Sequence, residues 1–399
     1  MPTSNPRSVP QLFRNPAYRT WSLASILFRL PGFMAPLGFV LIGVTVASRS
    51  VGGLMVTAEV GGIAVGAPLL SRWVDRVGAR RGVLAFSLAL TAMFIALALM
   101  AALRAPGWSL ISGAGLAGFL SSPRSPGLRA LLDDVVPKPA LQDALTLNAT
   151  VSEFAVLCAP LIVAVMALSS AIAVALAMAA TTAAGAAVLL TLPISAGDPH
   201  SPTTTRTTPQ APSRIPLLRI RELWFWIALY AGFGQLFGTV ETGALPWARA
   251  LHLGTWGAST ALAILSASGI VVNLFYARRP HSPTPSGPLR LLATMTIGCL
   301  GLAFSPNWWL GAASLGVMGA AAVPLLARAS FGVGHAVPAG QQAEGFGVTS
   351  AVQTAAYGLG GALLAVLPIH WMILAGTSAA LVTLALAPVW TAHQTARVG

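Results

Sequence analysis

The sequence predicts an all-α polytopic membrane protein of twelve transmembrane helices, and three observations predict it: scarce charge, long apolar runs and one-sided basic residues. Of 399 residues, 23 are Lys or Arg and 10 are Asp or Glu, so 8% are charged. Soluble globular domains carry roughly 25%. Hydrophobic residues make up 55%, and the mean hydropathy is +0.76. So few charges do not cover the surface of a water-soluble chain of this length. Lipid covers the remainder. A soluble enzyme, a nucleic-acid-binding domain and a disordered scaffold are excluded on this ground, and the net charge of +13 is read as loop charge rather than as a nucleic-acid footprint.

A helical crossing needs about 20 apolar residues. Twelve such runs follow along the chain, at 18–46, 52–72, 82–103, 108–131, 146–168, 170–192, 223–246, 254–277, 288–304, 307–328, 346–367 and 371–390. Outer-membrane strands would instead alternate over about ten residues, and Ala171–Leu192 does not. With the N-terminus in the cytoplasm, nineteen Lys and Arg residues fall on the cytoplasmic side and three (Arg49, Arg104, Arg249) on the outer side. This asymmetry orients the chain with both termini cytoplasmic. Residues 1–20 are polar and Pro-rich, with no apolar stretch of the signal-peptide kind. Cys158 and Cys299 lie within apolar runs and form no metal or disulfide pattern.

Residues 195–216, rich in Pro, Ser and Thr, read as a linker between a six-helix bundle at 1–194 and a second at 217–399. The halves echo each other. Leu12, Arg14 and Trp21 recur 205 residues later as Leu217, Arg219 and Trp226. Val136-Pro137 with Asp143-Ala144 recurs 201 residues later as Val337-Pro338 with Glu344-Gly345. Two parallel repeats are a transporter pattern with the substrate site between the halves.

The loop after the second span reads Ser71-Arg72-Trp73-Val74-Asp75-Arg76-Val77-Gly78-Ala79-Arg80-Arg81. It resembles the loop motif of the major facilitator superfamily (MFS), G-x-L-x-D-R-x-G-R-[RK], with Asp75, Arg76, Gly78 and Arg80 in register. The resemblance implies the MFS fold, two pseudo-symmetric six-helix bundles, and a cytoplasmic gate in which Asp75 faces the start of the eleventh span. Arg76, Arg80 or Arg81 would then meet Asp133 or Asp134. The bland alternative is a basic loop that only sets topology. The stretch Ala155–Pro160 keeps the proline of the efflux branch's fifth-span signature without its flanking glycines, which leans the resemblance towards export.

Ionisable groups inside spans are costly and normally face the bundle interior or a wet cavity. Arg29 lies about 11 residues into the first span, about 16 Å at helical rise, and Glu153 and Arg124 reach similar depths. These three are expected to form a buried charge cluster. Glu241 and Glu59 lie nearer the outer face. A carboxylate sunk in apolar surroundings can exchange a proton, and Glu153, then Glu241, are the candidates for proton coupling. Asn148, Gln235, Asn273 and Gln353 are candidate substrate-cavity groups, or else bridges between helices. Gly113-x-Gly115-x-x-Gly118 matches the dinucleotide pattern but sits in an apolar helix with no preceding strand, so helix packing is its expected role. No His/Glu metal pattern and no phosphate-cradling loop appears.

The expectation is therefore a secondary transporter, not an enzyme, in the cytoplasmic membrane. It would move a small, amphipathic molecule by alternating access, with the proton gradient as energy source and no cofactor or metal. Proton-coupled efflux is the leading reading; nutrient uptake by symport or uniport, or a non-transporting sensor, is the alternative. Its partners would be the cargo and the lipid bilayer, without nucleic acid, and the chain is expected to be a monomer.

Overall fold

The computed structural model describes residues 14–136, 141–193, 216, 219–276, 286–338 and 341–388. Within these helices some side chains, including those of Asp75, Asp133, Asp134 and Glu153, lie outside the described set. The linker at 195–216 lies outside it too, apart from Pro216. The described residues form helices and no strand. They are α1 (Pro16–Val46), α2 (Arg49–Val77), α3 (Ala79–Ala102), α4 (Gly107–Ser121), α5 (Arg124–Val135), α6 (Leu141–Ala167) and α7 (Ala171–Leu190). After the linker come α8 (Arg221–Ala250), α9 (Gly254–Tyr276), α10 (Ser286–Ala303), α11 (Trp308–Ala336), α12 (Gln342–Val366), α13 (Ile369–Ala375) and α14 (Ser378–Ala385).

Two residues separate α4 from α5, and two separate α13 from α14, so the fourteen helices make twelve rods. The fourth and twelfth spans, expected to be continuous, are therefore each interrupted. Pro123 breaks the fourth, because it lacks the N–H that would continue the ladder. Among the described residues, eight helices are long and apolar enough to cross a bilayer by length and composition, and Phe154–Ala167 and Ile369–Ala385 are shorter apolar stretches. Several helices run beyond their apolar runs; α11 continues to Ala336 and α2 to Val77.

By packing, the chain divides into two compact units. The first comprises residues 1–48 and 61–207, and the second 49–60 and 208–399. In the first unit, Tyr18, Trp21 and Phe28 of α1 pack into a core with Leu128, Leu131 and Leu132 of α5 and Leu189 of α7. Three polar groups fasten the start of α1. Asn15 Nδ2 donates to Val135 O at 3.3 Å, Tyr18 Oη to Ala144 O at 3.3 Å, and Trp21 Nε1 to Leu128 O at 2.8 Å. Gly62 lies against Gly115 O and Phe119 of α4, where a β-carbon would stand 2.8 Å from Phe119 N. The 113–118 glycine pattern thus serves close helix packing.

In the second unit, Gly234 and Gly238 of α8 rest on the backbone of Gln353 and Tyr357 of α12, and Gly360 rests on Gly238 and Thr239. Spacing glycines four apart lets two helix backbones approach closely. An adjoining face of α12 receives the segment 49–60: Gly361 lies against Gly53 and Thr57, and Gly358 against Val60. The internal repeat survives in the packing of each unit. Trp21 bonds Leu128 O, and Trp226, 205 residues on, packs its ring on Gly332, the position equivalent to Gly127. Val136 closes α5 at φ −121°, ψ 130°, and Val337 closes α11 at φ −107°, ψ 136°. A proline follows each valine, which favours this extended backbone.

Candidate functional site

In the second unit the close α8–α12 crossing brings Glu241 and Tyr357 side by side. Tyr357 Oη donates a hydrogen bond to Glu241 Oε2. Glu59 of the segment 49–60 is buried, 8% exposed. Its neighbour Val60 rests on Gly358, the residue after Tyr357. Glu241 and Tyr357, from different helices, therefore form a bonded pair among apolar residues. On α8, Phe233 and Phe237 precede Glu241 at four-residue intervals, on one helical face, and their rings stack with centroids 5.4 Å apart.

Tyr357 did not stand out in the sequence. Its signal was its place four residues after Gln353, one turn along the same face. Gln353 and Asn273, two more of the candidate amides, are both half-buried.

Gln235, a third expected cavity amide, is engaged elsewhere. Its Oε1 accepts from Ala379 N at 2.8 Å, its Nε2 donates to Ala375 O at 3.4 Å, and it exchanges a hydrogen bond with Ser378 Oγ. This single side chain bridges the break between α13 and α14. The break leaves carbonyls without partners on one side and N–H groups on the other, and an amide supplies both a donor and an acceptor.

In the first unit a polar chain crosses from α1 to α6. Arg29 Nε donates to Ser25 Oγ at 3.4 Å, Ser25 Oγ donates to Asn148 Oδ1 at 3.1 Å, and Ser152 Oγ donates to Asn148 O at 2.7 Å. Ser25, one turn before Arg29, is a member the sequence reading missed. Asn148 is thus tied to α1, which is a bridging role. Arg124 is buried at the first turn of α5, where its Nε donates to Ser121 O at 3.3 Å across the α4–α5 break. The side chain of Glu153, the third member of the expected cluster, lies outside the described set.

At the loop motif, Gly78 joins α2 to α3 at φ 92°, a conformation that favours glycine. The motif's glycine therefore has a backbone reason. Arg76 is exposed at the end of α2. Arg80 Nη2 donates to Leu190 O at 2.8 Å, the last residue of α7. A guanidinium there complements the helix's carbonyl end. The side chains of Asp75, Asp133 and Asp134, the expected acidic side of the gate, lie outside the described set. Among the described residues no group of His, Cys, Asp or Glu forms a metal site.

Two repeated bundles of apolar helices, each with a few polar side chains sunk among its own helices, are the build of a membrane transporter. The model of the Major Facilitator Superfamily matches residues 20–285, and the chain belongs to that family. Solved transporters share its fold. A mutant of the peptide transporter POT in complex with sulfate aligns with a TM-score of 0.69 at 15% identity, over 93% of this chain and 94% of that one. A mutant of the nucleoside transporter NupG gives 0.68 at 13%, over 92% and 97%. A bacterial homolog of the human lysosomal transporter Spinster gives 0.66 at 12%, over 95% and 96%. Among curated proteins, none matches the chain in sequence.

Proposed function

We propose that this chain is a proton-coupled secondary transporter that exports a small amphipathic molecule across the cytoplasmic membrane by alternating access. The observation that carries the reading is Glu241, a carboxylate within the apolar second unit whose hydrogen-bond partner is a neutral phenol, Tyr357. Such a group costs desolvation energy when ionised, so taking up a proton and releasing it changes the energy of its surroundings. A protein that binds a proton and a cargo with different affinities in two conformations couples their movements. Glu153 in the first half, deeper in its span by sequence, is the other coupling candidate.

Apolar and aromatic spans with few charges suit an amphipathic cargo better than a highly charged solute. The peptide and nucleoside transporters that share the fold are consistent with a small organic cargo. No cofactor enters this reading; the proton gradient supplies the energy, the chain acts as a monomer, and it is a transporter rather than an enzyme. Both termini are assigned to the cytoplasm from the nineteen-to-three distribution of basic residues. Export rests on the Ala155–Pro160 stretch, and uptake by the same fold is the competing direction.

The test starts from cells overexpressing the protein, challenged with a panel of amphipathic toxic compounds. A compound to which they gain resistance becomes the probe in proteoliposomes under an imposed proton gradient. Gradient-driven movement is expected in the wild type and lost in Glu241→Gln or Glu153→Gln. If both variants transport the probe at the full rate, the coupling assignment fails.

A further inference from the structure

Helix α1 carries Arg29 near its middle, and the face that bears it changes character along its length. Ser25 is fully buried and meets Asn148 of α6. Gly32 lies seven residues on, nearly two turns and about 10 Å further along the same face. There the packing has ended: Gly32 is exposed, and a β-carbon on it would meet nothing within 4 Å. Arg29 stands between the closed part of this face and the open part, and is itself half-buried. The rotation of α1 is fixed from another side, where Phe28 packs its ring on Gly185 of α7.

The chemistry of the open face suits one negative charge. Arg29 donates to Ser25 through Nε, which holds the guanidinium plane and leaves the two Nη groups, with four N–H donors, for another partner. Ser25 is in turn fixed by Asn148, so the fork is held from behind. Among the described side chains every carboxylate, of Glu59, Glu222, Glu241 and Glu344, belongs to the second unit. None of these neutralises Arg29 within its own unit. Pro36 has no N–H to give the carbonyl of Gly32, and glycine brings no side chain to cover that oxygen. A ligand at this face therefore meets a fork of donors and, less than one turn away, a bare acceptor.

We propose that Arg29 and the open face at Gly32 form the binding site for the carboxylate of the cargo, so that the cargo is a small organic monoanion with an apolar body. A planar carboxylate matches the guanidinium fork with two parallel hydrogen bonds. One guanidinium balances one negative charge. A second charge would be left uncompensated in apolar surroundings, which sets phosphate esters and dicarboxylates aside. The proposal rests on the transport function given above and adds the chemical class that is moved.

Three radiolabelled acids, naphthoate, indoleacetate and decanoate, each paired with its primary amide, test it. Binding is measured on the full chain in phosphatidylcholine nanodiscs at neutral pH, where the acids are ionised. At least one acid should bind about tenfold more tightly than its amide, the margin of a charge-assisted hydrogen bond over a neutral one. Arg29→Gln should erase that margin. Arg29→Lys, which keeps the charge without the fork, should restore part of it and so exclude a folding defect. Gly32→Leu, which fills the open face and leaves the charge in place, should weaken acid and amide alike at an unchanged melting temperature. A margin absent from all three pairs, a margin that Arg29→Gln leaves intact, or binding untouched by Gly32→Leu overturns the proposal. Loss of acid binding when phosphatidylglycerol is added to the discs gives the fork to a lipid headgroup and overturns it too. Should the resistance-selected probe still move with the proton gradient while no acid binds through Arg29, the carboxylate site alone fails. Should an acid bind through Arg29 yet show no gradient-driven movement in proteoliposomes, the transport reading fails and the site stands.

Discussion

Replacing Gln235 by Leu separates a structural amide from a cargo-binding one. Gln235 is 5% exposed, and its amide serves Ala379 N, Ala375 O and Ser378 Oγ at the break between α13 and α14. Leucine fills a similar volume but strands the Ala379 N–H and the Ala375 carbonyl. A buried polar group left without a partner costs about 1–3 kcal/mol. Interhelical hydrogen bonds in membrane proteins average about 0.6 kcal/mol and reach about 1.7. Two stranded groups, weighted towards the membrane values, give about 2 kcal/mol. At about 2–4 °C per kcal/mol for a unit of this size, the melting temperature should fall by about 4–8 °C. Thermal unfolding in detergent, followed by tryptophan fluorescence, measures it. Gln235→Glu, which keeps an acceptor for Ala379 N–H, should recover part of the loss. A Leu variant that melts with the wild type but no longer moves cargo would refute the bridging role and return Gln235 to the substrate cavity.

Two glycine substitutions should act in opposite directions. In Gly238→Ala the new methyl would stand 2.8 Å from Tyr357 C and Cα, forcing α8 and α12 apart; lower yield of folded protein and a lower melting temperature are expected by size-exclusion chromatography and thermal unfolding. Gly61→Ala meets nothing within 4 Å and should gain about 0.5–1 kcal/mol of helix stability, read as an unchanged or higher melting temperature. Trp21→Phe removes the 2.8 Å bond to Leu128 O and should lower stability by about 1 kcal/mol in the same assay. Arg80→Ala releases Leu190 O; amide exchange should quicken over the last turn of α7 while global melting stays put.

The all-helical architecture and the duplication were legible because the bilayer imposes them on composition. A chain with 8% charged residues has few ways to place its backbone in oil other than as helices, and a repeated Trp or Val-Pro carries its packing partner or cap with it. Trp21 and Trp226 each meet the fourth rod of their own unit, and Val136 and Val337 close their helices with similar backbone angles. Gly78 was legible for a related reason, since its φ of 92° is a local demand that a single residue type meets.

The candidate site was legible only in part. Glu241 announced itself as a carboxylate in an apolar run, but its partner lies 116 residues away on another helix. Nothing in the run around Tyr357 names that partner. Gln235 and Asn148 could be read as cavity residues or as bridges between helices, because an amide in a span is polar wherever it points. Whether it faces cargo or mends a broken helix depends on what stands across from it, and for Gln235 that is the interruption at Gly376-Thr377. That break, the assignment of Arg49–Val60 to the second unit, and the meeting of Tyr357 and Glu241 follow from how closely glycine-lined backbones approach. Hydropathy along a chain records which residues tolerate lipid, and it marked out the helices. Which polar groups meet is fixed only when helices far apart in sequence touch, and tertiary packing alone decided it here.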